Sequence, residues 1–549
     1  VSEIIKRECR FAIHMPSKHP DMDDVHLIKE VLHYSDGTIR PNVKFVKNYK
    51  RDFYVTLPNK RTYKQKREVE KLENLRKVTC TQSKLRDEVA KALDRSWSND
   101  QMNKLSKSPY IYGVDISSTS LIKQSYQNKY PNLLTPYNLA VLDIETDVIN
   151  GTDEILMITL TTSSDIYTSV VNKFVSGFNS PIDLINKGMS KYIPEHITDK
   201  RIHIDIADSS SDAIKYIFKN IHKDSPDWVA IWNIDFDLPK IISALEKSGI
   251  KPKDIFNDPK VPDAYRYFRY KKGKDKKITS SGKVTPINPA SRWHKTYNPA
   301  GYHFIDAMCV YKQLRLAKQE EPSYALDAIL NKELGIRKLR FEECDMYSGL
   351  KWHQIMQSKY KIEYIVYNIF DCLSILELDN KTKDLSFTLP IFAGITDFNE
   401  FNSQPKKISD SLHSFVLKRG LVLGSGGFEE NTDEKDILSL KDWIVTLPSH
   451  MSSLGQKLIK EDPNLRTGIR THTADSDSVS AYPSIIAALN VSKLTTKREL
   501  ITIKGISENV FKMQNLNLIQ GQTNSLEYCT NMFNFKKPQD LLDEFISPF

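Results

Sequence analysis

Cysteine is sparse: six in 549 residues (Cys9, Cys80, Cys309, Cys344, Cys372 and Cys529), with no Cys-x-x-Cys pair and no clustered histidine beside them. That scatter argues against a disulfide framework or a zinc module and fits a reducing compartment. Long apolar runs are missing too. No stretch of about 18 apolar residues offers a membrane span. The opening VSEIIKRECRFAIHMPSKHP lacks the apolar segment of a signal peptide. No repeat of about 20–50 residues recurs, which argues against a solenoid or propeller. The Gly-rich run GLVLGSGGF at 420–428 lacks the Lys-Ser/Thr ending of a phosphate loop.

What is present is globular. With 40% hydrophobic and 10% aromatic residues, the chain is too apolar for disorder. At about 100–200 residues per domain its length predicts several units, each able to bury a core. Lysine and arginine (78) outnumber aspartate and glutamate (69), giving a net charge of +9, which permits a polyanionic partner without requiring one.

Three textures follow one another. Residues 1–135 are rich in Lys, Tyr and Asn, with short β-like runs such as 52–57 and a heavily charged stretch over about 63–95 that reads as a helix with a solvated face. From 136 to 385, apolar strands alternate with helical segments, the signature of an α/β layer structure. Residues 139–142 and 155–160 read as strands joined through a turn at Gly151-Thr152, hence a hairpin. The basic insertion at 271–296 (KKGKDKKITSSGKVTPINPASRWHKT) reads as a mobile loop that either contacts nucleic acid or is merely solvated. Residues 386–549 form the third part.

Carboxylates recur where chemistry would need them. In VLDIETD, Asp143 and Glu145 follow an apolar strand, and i, i+2 spacing puts both on one face, predicted to lie away from the buried one. They would repel unless a hard divalent cation sat between them; alone, the pair is equally a solvated strand edge. AIWNIDFDLPKI places Asp237 where a strand breaks toward Pro239, as in an active-site loop or an ordinary Asx turn. IEYIVYNIFDCLSILEL has helical apolar spacing, with Tyr367 and Asp371 one turn apart. A phenol beside a carboxylate can orient a water, although an amphipathic helix also carries such contacts.

Taken in order, Asp-x-Glu, Asn-x-x-Phe-Asp and Tyr-x-x-x-Asp resemble the three motifs of DEDDy-type 3′→5′ exonucleases. The intervening GYHFIDAMCVYKQLR and PSYALDAILNKELGIRKLRF are similar to the matching stretch of family B DNA polymerases of the T-even phage type. Further on, ADSDSVSAYPSIIAALNVSKLT resembles that family's palm motif A, DxxSLYPSII, with Ala481 in place of the usual Leu. The resemblance implies a mixed, multidomain α/β protein: an N-terminal α+β domain (1–135), an RNase H-like exonuclease domain (136–385) and a partial palm leading into the fingers (386–549). It implies two Mg²⁺ or Mn²⁺ ions in the exonuclease, held by Asp143, Glu145, Asp237 and Asp371, with Tyr367 positioning the attacking water. In the palm it implies a metal-binding Asp477, with Ser480 and Tyr482 at the incoming dNTP.

The fingers motif and the palm motif C (YxDTDS) are not found, and the linker motif is poorly matched, with 466–469 its nearest relic. Two-metal nucleotidyl transfer needs the second palm aspartate. The expectation is therefore the N-terminal part of a split polymerase, joined by a second polypeptide carrying fingers, motif C and thumb. Its partners would be primer-template DNA, single-stranded 3′ ends, dNTP and a sliding clamp. It would act in the cytoplasm, that of the host cell if phage-encoded. An autonomous exonuclease with a vestigial palm and a non-catalytic DNA-binding scaffold are the alternatives.

Overall fold

In the computed structural model the chain is mixed α/β, in two compact units, Val1–Gly427 and Phe428–Phe549. The structure describes residues 2–424, apart from 20, 65, 68, 96–99, 132, 279–281 and 317–319, together with two strands of the second unit. Those strands, β19 (Thr496–Leu500) and β20 (Asn517–Gly521), pair antiparallel. The motif A residues Asp477, Ser480 and Tyr482 lie outside the described residues.

The first unit begins with an antiparallel sheet of β1 (Ile4–Met15), β2 (Val25–Tyr34) and β3 (Ile39–Lys47). A second sheet has the order β6-β4-β7, from β4 (Arg51–Thr56), β6 (Leu75–Cys80) and β7 (Ile111–Tyr112). Between the strands of this second sheet in the chain lie β5 (Val69–Lys71) and α1 (Leu85–Ala92), and after β7 comes α2 (Ser118–Lys129), capped by the Ser117 side chain accepting from the Ser120 amide. Part of the stretch expected to be helical over 63–95 is thus strand. The reason is local: Leu75 and Cys80 are buried while Arg76, Lys77 and Thr79 face solvent, and β4 supplies the hydrogen-bond partner. An available sheet edge overrides helical propensity.

The centre of the unit is a six-stranded mixed sheet, order β11-β10-β9-β8-β12-β17. Its strands are β8 (Leu139–Thr146), β9 (Ile155–Thr161), β10 (Asp165–Val171), β11 (Arg201–Ala207), β12 (Trp228–Ile231) and β17 (His303–Asp306). β8 and β9 form the expected hairpin. Its turn is closed by Asp147, which accepts from the amides of Ile149 and Asn150, with Gly151 at φ +63°.

Helices cover both faces. On one, α3 (Ser210–Asp224) and α4 (Ile234–Lys247) bring Ile217, Phe218, Ile221, Leu238 and Ile241 against Ala140, Leu142 and Ile144 of β8. On the other, α7 (Lys361–Thr382) packs Cys372 and Ile375 against Val141, and Ile369 and Leu373 against Met157. α6 (Gly349–Lys359) precedes α7, and the short α5 (Ala307–Gln313) follows β17.

The basic insertion is not plain loop. β13 (Arg269–Lys271) pairs with β16 (Lys295–Tyr297), and between them β14 (Lys276–Ile278) pairs with β15 (Val284–Pro286) as an exposed ribbon. After α7 the chain runs through α8 (Gln404–Leu417) to β18 (Leu421–Leu423), which returns to pair with β5. Residues 386–427 therefore belong to the same compact unit as the N-terminal sheets.

Candidate active site

Strand direction assembles the site. β8, β12 and β17 run parallel, with Ala230 beside Val141 and Ile231 beside Asp306, so their C-terminal ends share one edge of the sheet. β8 delivers Asp143 and Glu145 there, and β12 leads through Trp232 and Asn233 directly into α4. Asp237 stands in the first turn of α4, with Pro239 inside the helix, rather than in a loop after a broken strand. Pro239 is the sixth residue of α4, past the four free amides of the first turn, so it removes one intrahelical hydrogen bond, the one that would reach the Asp235 carbonyl. Asn233 gives no side-chain cap; Asp306 reaches across from β17 to accept the Ile234 amide, while its other oxygen accepts from Cys309 to cap α5.

Asp143 and Glu145 do share a face, but it is a covered one. The even residues of β8 enter the core under α3 and α4, and the odd ones face α7. There the carboxylates meet hydrogen-bond donors. Asn368 Nδ2 donates to Asp143 Oδ2 at 2.7 Å, and the Tyr364 hydroxyl donates to Glu145 Oε2. Lys338 Nζ donates to Asp371 Oδ2 at 2.6 Å and to the Tyr367 hydroxyl at 2.9 Å.

The five residues expected at the exonuclease site, Asp143, Glu145, Asp237, Tyr367 and Asp371, fall into one electrostatic neighbourhood. Burial pushes the Asp143 carboxyl well above the usual range, and Asp237, Asp371 and Glu145 push it further. Burial likewise raises Glu145 to about 7, although the Tyr364 hydrogen bond opposes the rise. Asp237 is raised by burial and then by Glu145, and Asp371 by burial against the pull of Lys338. Burial would lower the Lys338 ammonium, but Asp371 and Tyr367 outweigh it and leave it well above its ordinary value. This half-buried cation is felt by all four carboxylates.

Among the described residues no three His, Cys, Asp or Glu side chains already form a cage tight enough for a metal ion. The donor set is nonetheless one a hard cation would take: four carboxylates at mutual cost, with Asp371 Oδ1 buried and accepting no hydrogen bond. At the rim, Phe236 is half exposed beside Asp237, and Lys240 Nζ lies 3.7 Å from its ring centroid.

Sequence reasoning missed Lys338, Asn368 and Tyr364. For two of them a signal existed: Tyr364, Tyr367, Asn368 and Asp371 are spaced i, i+3, i+4, i+7, the polar stripe of one helical face. Lys338 comes from the segment after Gly335, whose φ of +74° ends the preceding helix, and nothing in its neighbours marks it. No protein-family model matches the chain, and no curated protein matches it.

Proposed function

We propose that the first unit carries a divalent-cation-dependent 3′→5′ DNA exonuclease, the proofreading part of a family B DNA polymerase. One observation carries the reading: four carboxylates and a tyrosine from three separated segments lie within electrostatic reach of one another beside a mixed sheet, where their burial is costly without a cation. Structural acids are normally placed to avoid one another, and perturbed carboxylates concentrated at a strand edge mark functional sites.

Asp143, Glu145, Asp237 and Asp371 would hold Mg²⁺ or Mn²⁺, which when bound sharpens a water nucleophile and stabilises the leaving 3′-oxygen. The chain's own groups supply the rest. Tyr367, its oxygen fixed by Lys338, orients the water in line with the terminal phosphodiester. The Lys338 ammonium offsets negative charge that gathers as the phosphorane forms. Phe236 offers a half-exposed ring on which a splayed terminal base can stack, which favours single-stranded ends.

The test is release of nucleotides from a 3′-labelled single strand, with and without Mg²⁺. The wild-type chain digests it and Asp143→Ala does not, while both bind the strand equally by fluorescence anisotropy. Digestion that persists in that variant, or in EDTA, rejects the site. The polymerase reading of Asp477, Ser480 and Tyr482 rests on the resemblance to motif A. Because these 549 residues carry no motif C, no primer extension is expected from them alone.

A further inference from the structure

The helix α6 lies before the third motif and carries none of the expected catalytic residues, yet two of its hydrogen bonds hold the end of the acidic strand and two more reach Tyr364 of α7. Gln357 grips the end of β8: its Nε2 donates to the Thr146 carbonyl at 2.7 Å and its Oε1 accepts from the Val148 amide at 3.1 Å. The same Nε2 lies 3.4 Å from the Tyr364 hydroxyl. His353 Nδ1 lies 2.8 Å from that hydroxyl. Tyr364 has one hydroxyl proton, and Glu145 Oε2 is the acceptor that takes it. The phenol oxygen is therefore the acceptor for His353, which fixes the imidazole proton on Nδ1.

We propose that Tyr364, braced by His353 and Gln357, is the positioning residue that fixes the rotamer of Glu145 and leaves its second oxygen for a divalent cation. This rests on the nuclease reading of the acidic cluster and names how one of its ligands is held. A glutamate carries one more rotatable bond than an aspartate, so at the end of a strand it needs an outside contact to present one oxygen reproducibly. Tyr364 itself is fully buried and stacked nearly parallel to Tyr367 at 6.1 Å between centroids, so the phenol cannot swing away. Second contacts of this kind, which orient a ligand without touching the ion, commonly govern metal affinity.

Tyr364→Phe keeps the ring and its packing and removes only the hydroxyl. The experiment measures Mn²⁺ binding to the full chain by calorimetry, and single-strand digestion across a Mg²⁺ titration. For Tyr364→Phe, Mn²⁺ affinity falls about tenfold, half-maximal activity needs correspondingly more Mg²⁺, and KM for DNA stays within twofold. His353→Gln, which retains a donor, falls less than His353→Phe. A Tyr364→Phe protein with wild-type Mn²⁺ affinity and an unchanged Mg²⁺ titration overturns the brace, as does loss of DNA affinity alone. Wild-type chain that binds Mn²⁺ in a Tyr364-dependent way but digests nothing would sustain the brace and sink the nuclease reading. Wild-type chain that binds no Mn²⁺ would sink both.

Discussion

Lys338 is the residue on which the candidate site balances. It bonds Asp371 and Tyr367 at once and its charge reaches the other three carboxylates. Replacing it with methionine of similar length removes the cation from Asp371, which keeps only the Tyr367 hydroxyl as a partner, and removes the donor that fixes the Tyr367 oxygen. Lys338→Met should lower kcat for digestion at least about tenfold with little change in DNA affinity, since a charge-assisted hydrogen bond of about 1.5–3 kcal/mol is lost next to the reacting water. Steady-state kinetics on a labelled strand checks it. Titration supplies a second expectation. The Glu145 carboxyl sits at about 7 against an ordinary 4.5, so the folded chain holds the proton more tightly than the unfolded one. Stability from this group is complete below about 4.5 and is lost as pH rises through about 7. In chelator, the melting temperature should fall between pH 5 and pH 7.5, and Glu145→Gln should flatten that slope. The carboxylates were legible because i, i+2 and i, i+4 spacings announce shared faces. Lys338 was not, because its role depends on a fold-back between segments that spacing does not encode.

At the scale of elements, β8 and β9 were readable as a hairpin from apolar runs flanking a glycine turn, and α7 from its helical period. The stretch 69–80 was misread because Arg76 and Lys77 are strong helix formers, and only the neighbouring β4 edge makes the strand the lower state. The insertion at 271–296 was misread for a related reason: its ribbon strands, Lys-Lys-Ile and Val-Thr-Pro, are short, largely exposed and carry no extended apolar alternation. The β4 end is held by an element-scale pin. Arg51 is buried, and its guanidinium donates to the carbonyls of Ile116 and Gly113 and to Gln82 Oε1, tying β4 to the turn that leads into α2. Arg51→Met leaves both carbonyls without a donor and should cost about 3 kcal/mol. Urea denaturation followed by far-ultraviolet circular dichroism measures the loss.

Over the whole first unit, a buried ionic knot joins the N-terminal sheet to the central one. Arg10 on β1 donates to Glu8, to the side chain and carbonyl of Thr135 and to the Pro136 carbonyl, and its Nε lies 3.3 Å from Asp227 just before β12. Lys29 of β2 donates to the carbonyl and hydroxyl of Ser225 at 2.6 Å each, and Asp227 also accepts the Asn138 amide ahead of β8. Removing Asp227 takes a carboxylate from two buried cations, leaving Arg10 with Glu8 and neutral oxygens and Lys29 with the Ser225 oxygens, so Asp227→Ala should destabilise the unit by about 3 kcal/mol. It should also separate one unfolding transition into two, read by differential scanning calorimetry. None of this was visible in the linear chain, where Glu8 and Asp227 are two acids among 69.

The alternation along β8 has a genetic corollary. Ala140, Leu142 and Ile144 supply the oil for one layer while Asp143 and Glu145 serve the other. Loss of a single codon anywhere between them would turn the ribbon over, sending acids into hydrocarbon and leucine toward the donors of α7. Point changes in this stretch should therefore be survivable one by one, whereas an in-frame deletion of one residue should be lethal to the fold.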